Sequence, residues 1–386
     1  MRRVYADYAA TTPVDPRVFE AMKPFFMEYF GNASSVNSSG AKARVAVEEA
    51  RAKIAAFMNA NSSEELIFTG SATESNNLVI KGFTLEHGGA KTHIAVSTIE
   101  HDCVLNAAKW LKKLGYKVDF IPVDKYGLVD MNALETSIKQ GANLVSVIHG
   151  NNEIGTIEPI EEIAKLCHEN DALFHTDAAQ SFGKVPIDVK AIGIDMMTIN
   201  AHKLYGPKGV GALYIRKGIQ LTPLLHGGGH EFGLRSSTEN VPGIVGFAKA
   251  VELRKDEMKP EAERLTKLRD KLIKGALEID DSYLNGHPTR RLPNNANFRF
   301  SYIEGEAIVL GLDMEGIEAS SGSACSSKTG LPSHVLLAIG LPPEIARGSL
   351  RISLGKYNTE GDIDYILAVL PKVVHRLREM SPLAKR

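Results

Sequence analysis

Five segments of this 386-residue chain have the pattern of β-strands, and each is followed by polar side chains that could do chemistry. Ligands of open α/β sheets bind just beyond the carboxyl ends of the strands. A lone histidine or aspartate at such a position is usually structural, but five such strand ends together indicate a shared binding site. In chain order, the residues are Thr73 after LIFTG, His101 after AVST, Asn152 after VSVIHG, Asp177 and Gln180 after FHT, and His202 and Lys203 after MMTIN.

These residue types have a known use in one combination. A lysine on a loop can form a Schiff base with an aldehyde, and a carboxylate can hold the protonated nitrogen of a pyridine ring. The segment GSAT at 70–73 offers backbone amides and hydroxyls to a phosphate. Taken alone, GSAT is more typical of an ordinary helix cap. Together, the residues favour pyridoxal phosphate as a cofactor.

A separate feature is Cys325, which lies in the segment SSGSACSSKTG at 320–330. Structural cysteines usually have apolar neighbours, whereas serines and glycines are typical of a surface loop. An exposed thiol in such a loop is predicted to have a chemical use. Cys103 and Cys167 lie in helical patterns instead, so we predict that they are packing residues.

The composition argues against several classes of protein. Lysine plus arginine (45) nearly equal aspartate plus glutamate (46), so the net charge indicates neither nucleic acid nor an anionic membrane as a partner. No apolar run has the length of a bilayer span, and the N-terminus does not resemble a secretory signal. Three unclustered cysteines provide neither a disulfide framework nor a CxxC metal site. We therefore expect a cytoplasmic protein without a resident metal.

The elements that must position these residues indicate an α/β fold. Between residues 64 and 216, apolar runs alternate with helical patterns, which predicts a mainly parallel sheet covered on both faces. GVGALYIRK follows GPKG so closely that it should be an antiparallel strand. From Glu261, a helix with an apolar stripe leads into a smaller α+β region, whose last helix should be kinked at Pro371. We predict a large domain at 15–258 and a small domain formed by 1–14 and 259–386.

Taken together, these segments resemble the cysteine desulfurases, which are pyridoxal-phosphate enzymes of the class V aminotransferase family. The similarity runs almost from end to end, and HKxYGPKG together with SSGSAC is its most specific part. It implies the fold of type I pyridoxal-phosphate enzymes, whose large domain contains a mainly parallel sheet of seven strands. The segments that carry the resemblance are YADYAATTPVDPRV, FTGSATESNN, NNEIGT, DAAQSFGK, HKLYGPKGVGALY, GGGHEFGLRSSTENVP and SSGSACSS.

The resemblance implies a role for each candidate residue. Lys203 would hold the cofactor as a Schiff base, Asp177 would pair with its ring nitrogen, and His101 would stack on its ring. The further implied contacts are those of Asn152 and Gln180 with the phenolic oxygen, of Ala72, Thr73, Asn200, His202 and a partner subunit's Thr238 with the phosphate, and of Asn32 and Arg351 with the substrate carboxylate.

The same resemblance implies a sulfurtransferase reaction. The Cys325 thiolate would attack the sulfur of bound L-cysteine, which would leave a persulfide on Cys325 and release L-alanine. The sulfur would pass to an iron–sulfur scaffold protein or another acceptor, and Cys325 is also a candidate transient ligand of an iron–sulfur cluster. The implied assembly is a homodimer with shared active sites.

Other functions remain open at this point. A selenocysteine lyase or another class V aminotransferase would use the same cofactor residues, although an aminotransferase does not need a loop cysteine. A non-catalytic iron–sulfur carrier or a thiol hydrolase could use Cys325, but neither explains the set of Lys203, Asp177 and His101.

Five positions depart from the usual pattern of the family. Asn200 stands where a serine is common, and Ser71 is expected to crowd the phosphate loop. None of the five is a residue with an implied catalytic role. We therefore expect them to affect affinity and rate more than the type of reaction. The five are Ala33, Asn37, Ser71, Asn200 and Ser237.

Overall fold

The structure is a computed structural model that describes residues 2–88, 92–322 and 332–382. Its strands are β1 Val4–Tyr5, β2 Leu66–Thr69, β3 His93–Ser97, β4 Lys117–Ile121, β5 Leu144–Ser146, β6 Leu173–Asp177, β7 Met196–Asn200, β8 Gly211–Ile215, β9 Ser282–Asn285, β10 Asn295–Phe300, β11 Ile317–Glu318 and β12 Ser349–Ser353.

The α-helices alternate with these strands along most of the chain. They are α1 Pro16–Met22, α2 Pro24–Met27, α3 Ser38–Phe57, α4 Ala72–Asn77, α5 Phe83–His87, α6 Asp102–Lys113, α7 Met131–Lys139, α8 Ile160–His168, α9 Val189–Ile192, α10 Val241–Ala276, α11 Gly305–Asp313, α12 His334–Ala338, α13 Pro343–Ala346 and α14 Glu360–Met380. A π-helical turn at Leu78–Gly82 joins α4 to α5. None of the helices within the described ranges is both long enough and apolar enough to cross a bilayer.

The central sheet contains seven strands of the described chain, in the order β2-β8-β7-β6-β5-β3-β4. The five strands from β7 to β4 are parallel, whereas β8 is antiparallel to both β7 and β2. Alternate residues of β8 pack on opposite faces: Ala212 and Tyr214 join one core, and Leu213 and Ile215 join another. The predicted parallel sheet with two covered faces and the antiparallel strand GALYI are therefore confirmed.

One edge of this sheet collects the polar residues found in the sequence. The carboxyl ends of β2, β3, β5, β6 and β7 meet there, because β2 runs in the same direction as the parallel strands. Antiparallel β8 brings its first residue, Gly211, to the same edge between Thr69 and Asn200. A Cβ atom on Gly211 would lie 2.8 Å from the carbonyl carbon of Ser71. Glycine therefore allows α4 to begin directly against the sheet.

A second core lies under the antiparallel sheet β9-β10-β12 and the parallel pair β1–β11. Val4 and Ala6 from the N-terminus belong to this core, together with Leu350 and Ile352 of β12. Bridges from Ser353 to Asp7 and from Arg351 to Ser320 tie β12 to two distant segments. Strand β12 therefore lies close to the edge at which the parallel strands of the central sheet end.

Helix α10 connects the two cores, but it begins earlier than the sequence pattern indicates. The pattern predicts a start near Glu261, whereas the helix starts at Val241, with the side chain of Asn240 accepting a hydrogen bond from Gly243 N–H. Pro260 lies inside the helix and does not end it. The prediction is wrong because it rests on an apolar stripe that packs into the second core, whereas the first half of the helix packs into the core of the large sheet. The domain division at 258/259 itself stays a prediction.

Candidate active site

A cavity of about 310 Å³ opens at the carboxyl edge of the central sheet. Most of the predicted site residues line it, and they come from five different strand ends and from β12. Asn32 and Thr238 do not line the cavity and are exposed, and Cys325 lies outside the described residues. The predicted residues that the cavity brings together are Ala72, Thr73, His101, Asn152, Asp177, Gln180, Asn200, His202, Lys203 and Arg351.

Lys203 lies in a tight loop that the N-terminal segment holds in place. Its Nζ donates hydrogen bonds to the carbonyl oxygens of Ala9 and Ala10, at 2.5 and 2.6 Å. The loop closes through a bond from Gly206 N–H to Ala201 O at 3.0 Å. The sequence pattern identifies the lysine but not its partners, because about 190 residues separate them.

His202 is adjacent to Lys203 and is held as a neutral imidazole. Burial lowers its pKa to about 4, and the positive charge of Lys203 acts in the same direction. The ring nitrogen Nδ1 lies 3.1 Å from the hydroxyl oxygen of Thr11. A neutral His202 can accept or donate a hydrogen bond at the cavity wall without adding charge.

Asp177 ends strand β6 and is almost fully buried. Its Oδ1 accepts a hydrogen bond from Ala179 N–H at 2.9 Å, and its Oδ2 accepts one from Asn76 Nδ2 at 2.7 Å. Two donors from different elements fix the orientation of the carboxylate, which faces a cavity lined by Lys203 and His101.

His101 caps the N-terminus of α6. Its Nδ1 accepts a hydrogen bond from Cys103 N–H at 3.2 Å and lies 3.1 Å from Cys103 Sγ. Cys103 packs partly against an apolar core but also lines the cavity. Its description as a packing residue is therefore incomplete, whereas Cys167 is fully buried, as predicted.

The N-terminus of α4 forms another part of the wall. Ala72 and Thr73 are its first two residues, and amides at these positions have no acceptor within the helix. The side chain of Ser71 accepts a hydrogen bond from Glu74 N–H at 3.2 Å. The departure at Ser71 thus provides the helix cap, while Ser71 also lines the cavity. Exposed amides at a helix N-terminus attract an anionic group.

Arg351 comes from β12 and is buried, so it is not an outward-facing strand residue with a partner on the surface. Its Nη2 donates to Asp7 Oδ1 at 2.8 Å, and its Nη1 donates to the carbonyl oxygens of Asn152 and Gly322, both at 2.9 Å. Its Nε is buried and has no partner among the described residues. The guanidinium is thus held in place, and two of its five N–H groups, one on Nε and one on Nη2, have no acceptor among the described residues.

Several residues of the cavity were not identified from the sequence. Glu153 is buried and accepts a hydrogen bond from Ser333 Oγ at 2.5 Å. The ring nitrogen Nε2 of His334 lies 2.9 Å from the carbonyl oxygen of Glu100. Glu153 directly follows the predicted site residue Asn152, so the motif NNEIGT contained a usable signal. No sequence pattern indicated His334, because it reaches the sheet edge only through the packing of α12.

Comparisons with known proteins agree with this site. The family model Aminotransferase class-V matches residues 4–366. Cysteine desulfurase IscS 1 of Archaeoglobus fulgidus is 56% identical over 382 residues, which cover 99% of this chain and 100% of that protein. Cysteine desulfurase IscS of Dictyoglomus turgidum is 52% identical over 99% of this chain and 97% of its own length.

Solved structures are similar over the same extent. A NifS-like protein superposes with a TM-score of 0.91 at 39% identity, covering 97% of this chain and 100% of that one. A structure described as SspA in complex with cysteine has a TM-score of 0.82 at 38% identity, covering 92% of this chain and 100% of that one.

The fold and the matched extent show that the chain belongs to the class V aminotransferase family, whose fold is that of type I pyridoxal-phosphate enzymes. Within this family, it belongs with the cysteine desulfurases of the NifS/IscS type. Pyridoxal phosphate is accordingly its cofactor.

The residues of the cavity fit this cofactor. They present an amine on Lys203, a carboxylate on Asp177, and the amides of Ala72 and Thr73 at the start of α4 for a phosphate. Asn200 adds a buried amide whose Oδ1 has no partner among the described residues. The side chain can rotate to offer its N–H instead, since amide orientation follows the hydrogen-bond network. A bound anionic group would give Asn200 the partner it lacks.

Proposed function

We propose that this protein converts L-cysteine to L-alanine and retains the sulfur as a persulfide on Cys325. The main support is a single cavity that combines Lys203, Asp177 and His101 with Arg351 and Gly322. Gly322 precedes Cys325 by three residues in the sequence. A sulfur carrier without catalysis would need none of the first four side chains.

The cofactor would be held at several points along the cavity. Lys203 would bind it covalently, Asp177 would hold its ring nitrogen, and the amides of Ala72 and Thr73 would bind its phosphate. Neutral His202 would complete this part of the wall. When bound, pyridoxal phosphate supplies an electron sink that weakens bonds in an amino acid substrate.

Arg351 would bind the substrate carboxylate. Its Nε lacks a partner among the described residues, whereas its two terminal nitrogens are held by Asp7, Asn152 and Gly322. A guanidinium suits a carboxylate because it presents several donors in one plane. Lys203 would move protons at the substrate carbon, because an amine at this position can act as a base.

Cys325 would then take the sulfur. Its thiolate forms a bond to the sulfur of L-cysteine as the carbon–sulfur bond breaks. The electron pair of the broken bond stays with the substrate carbon, which takes up a proton and leaves as L-alanine. The persulfide would pass to an iron–sulfur scaffold protein or another acceptor. A thiol that must cycle in this way favours a reducing compartment such as the cytoplasm.

A second copy of the chain would complete each site. Met27, Phe30 and Val36 are 82%, 72% and 98% exposed, so the segment that contains α2 and the turn before α3 presents an apolar surface. Such a surface on a folded chain indicates that another molecule covers it. Asn32 in this segment and Thr238 are exposed and outside the chain's own cavity, which supports contacts made across a homodimer.

The test compares the wild type with Cys325→Ser. The wild type should form alanine from L-cysteine and release sulfide when a thiol reductant is added, and mass spectrometry of a sample without the reductant should locate a persulfide on Cys325. The serine variant should retain the cofactor but lose both products, because a hydroxyl is a much poorer nucleophile than a thiolate. Cys167→Ala is the matched control, since Cys167 is buried outside the cavity.

Three outcomes would refute the proposal. Formation of a keto acid from L-cysteine, equal in the wild type and in Cys325→Ser, would indicate an aminotransferase, and activity restricted to selenocysteine would indicate a lyase. A persulfide found on Cys103 and not on Cys325 would show that the sulfur is carried by a different thiol.

A further inference from the structure

Cys103 and Asn76 connect two catalytic candidates that no direct contact joins. Asn76 is fully buried on α4, and its Nδ2 donates to Asp177 Oδ2 at 2.7 Å and to Cys103 Sγ at 3.1 Å. Cys103 Sγ in turn lies 3.1 Å from His101 Nδ1. These contacts form a continuous chain from the carboxylate of Asp177 to the imidazole of His101.

The direction of the hydrogen bonds follows from Asp177. A carboxylate oxygen only accepts, so the Asn76 amide must turn its nitrogen toward it. The opposite orientation would place Asn76 Oδ1 against the carboxylate, with both atoms acting as acceptors. In the observed orientation, Oδ1 has no partner among the described residues, so the contacts with Asp177 and Cys103 determine how the amide lies.

Cys103 Sγ therefore accepts a hydrogen bond from Asn76 Nδ2, and its own S–H remains available as a donor. Burial raises the pKa of the thiol to about 12, and the charge of Asp177 adds to the effect, so the thiol stays protonated at neutral pH. Thr73 also contacts the sulfur, and as a donor it leaves the S–H free for His101. His101 Nδ1 is then shared between the N–H and the S–H of Cys103.

We infer that Cys103 is a positioning residue that, together with Asn76, holds His101 in the tautomer protonated at Nε2 and couples its orientation to Asp177. A ring nitrogen that accepts two donors cannot carry the proton itself, so Nε2 is the donor presented to a ligand. The part of this inference that concerns the bound ring rests on the proposed function, whereas the tautomer does not.

The first experiment measures the tautomer without turnover. Long-range proton–nitrogen NMR of protein with isotope-labelled histidine distinguishes the two ring nitrogens, and His101→Gln identifies the signals of His101. The wild type should show an unprotonated, hydrogen-bonded Nδ1. Cys103→Ala keeps the backbone N–H and removes only the S–H, so the Nδ1 signal should shift part of the way toward that of a free acceptor. Cys103→Ser should reverse most of this shift.

The second experiment measures kinetics with the same variants in the cofactor-loaded protein. Cys103→Ala should lower kcat/KM for L-cysteine about tenfold, as expected for one lost hydrogen bond, and Cys103→Ser should recover part of this loss. Asn76→Ala should weaken cofactor binding as well, because it removes a donor to Asp177. Cys167→Ala should change neither the NMR signals nor the kinetics.

Protonation of His101 at Nδ1 in the wild type would overturn the inference. It would also fail if Cys103→Ala lowered only the melting temperature and left the Nδ1 signal unchanged, which is the result of a purely structural role. The proposed function fails differently, since a wild type that makes no alanine from L-cysteine leaves the tautomer result intact.

Discussion

The cavity has two walls that are built in different ways. His101, Asp177 and Lys203 form what we call the sheet wall, and each follows or ends a strand of the central sheet. Gly322 and Arg351 form the arginine wall, and Asp7, which is 344 residues from Arg351 in the sequence, holds the guanidinium from outside the cavity. The sheet wall follows from strand order, whereas the arginine wall exists only because the second core packs against that edge. The first should govern cofactor binding, and the second should govern substrate binding.

The largest effect is expected from Lys203→Ala in the sheet wall. Covalent attachment of the cofactor should disappear, and turnover should fall roughly a thousandfold or more, because the variant lacks both the amine and its proton transfer. Borohydride reduction followed by peptide mapping of the wild type should place the adduct on Lys203. Lys184 and exposed Lys208 provide controls, and an adduct on either of them would contradict the assignment.

Replacement of Arg351 tests the arginine wall alone. Arg351→Ala should raise KM for L-cysteine roughly a hundredfold, as expected when a charge-assisted bond to a carboxylate is lost. The absorbance of the bound cofactor should stay unchanged. Arg347→Ala is the matched control, because Arg347 is exposed on the surface. Loss of the cofactor from Arg351→Ala would show that the two walls do not act separately.

A buried carboxyl outside both walls, that of Glu158, should make stability depend on pH. Burial raises the pKa of Glu158 to about 8 from an ordinary value of 4.5. Between these two values, the unfolded carboxyl ionises and the folded one does not, so stability falls as pH rises through this window. Within this window, the equilibrium constant for unfolding should increase by up to about tenfold for each pH unit.

Glu158→Gln should flatten this slope in thermal unfolding measured from about pH 5 to pH 8, since glutamine keeps an acceptor for Val129 N–H. Glu161→Gln, at an exposed position of α8, should leave the slope unchanged. If Glu158→Gln leaves the slope as it is, another buried carboxyl such as Glu100, whose pKa burial raises well above its usual value, controls it.

The smallest effect is expected from Asp7→Asn. The carboxylate of Asp7 accepts from Arg351 Nη2 at 2.8 Å, and an amide would accept more weakly at the same place. KM for L-cysteine should rise about fivefold without a change in the bound cofactor, as measured by steady-state kinetics and absorbance. An increase as large as that of Arg351→Ala would mean that Asp7 contacts the substrate directly.

Much of the sheet wall could be predicted from the sequence. Continuous apolar runs identify strands that are buried on both faces, and parallel strands must end at one edge. The common direction of the strands therefore predicts that His101, Asp177 and Lys203 lie at the same edge, and the cavity contains all three. Local patterns were less reliable at α10, because the first half of this helix packs into one core and the second half into the other, so its apolar stripe is not continuous.

Local sequence therefore determined the strands, the helices, the strand-end residues and the resemblance to the family, because periodicity and turn chemistry act over a few residues. Only the tertiary structure decided that Ala9 and Ala10 hold Lys203, that Asp7 holds Arg351, and that Cys103 faces the cavity. These contacts join segments that no local pattern connects. They form when two hydrophobic cores pack around one sheet edge, and burial then requires each polar group to find a partner there.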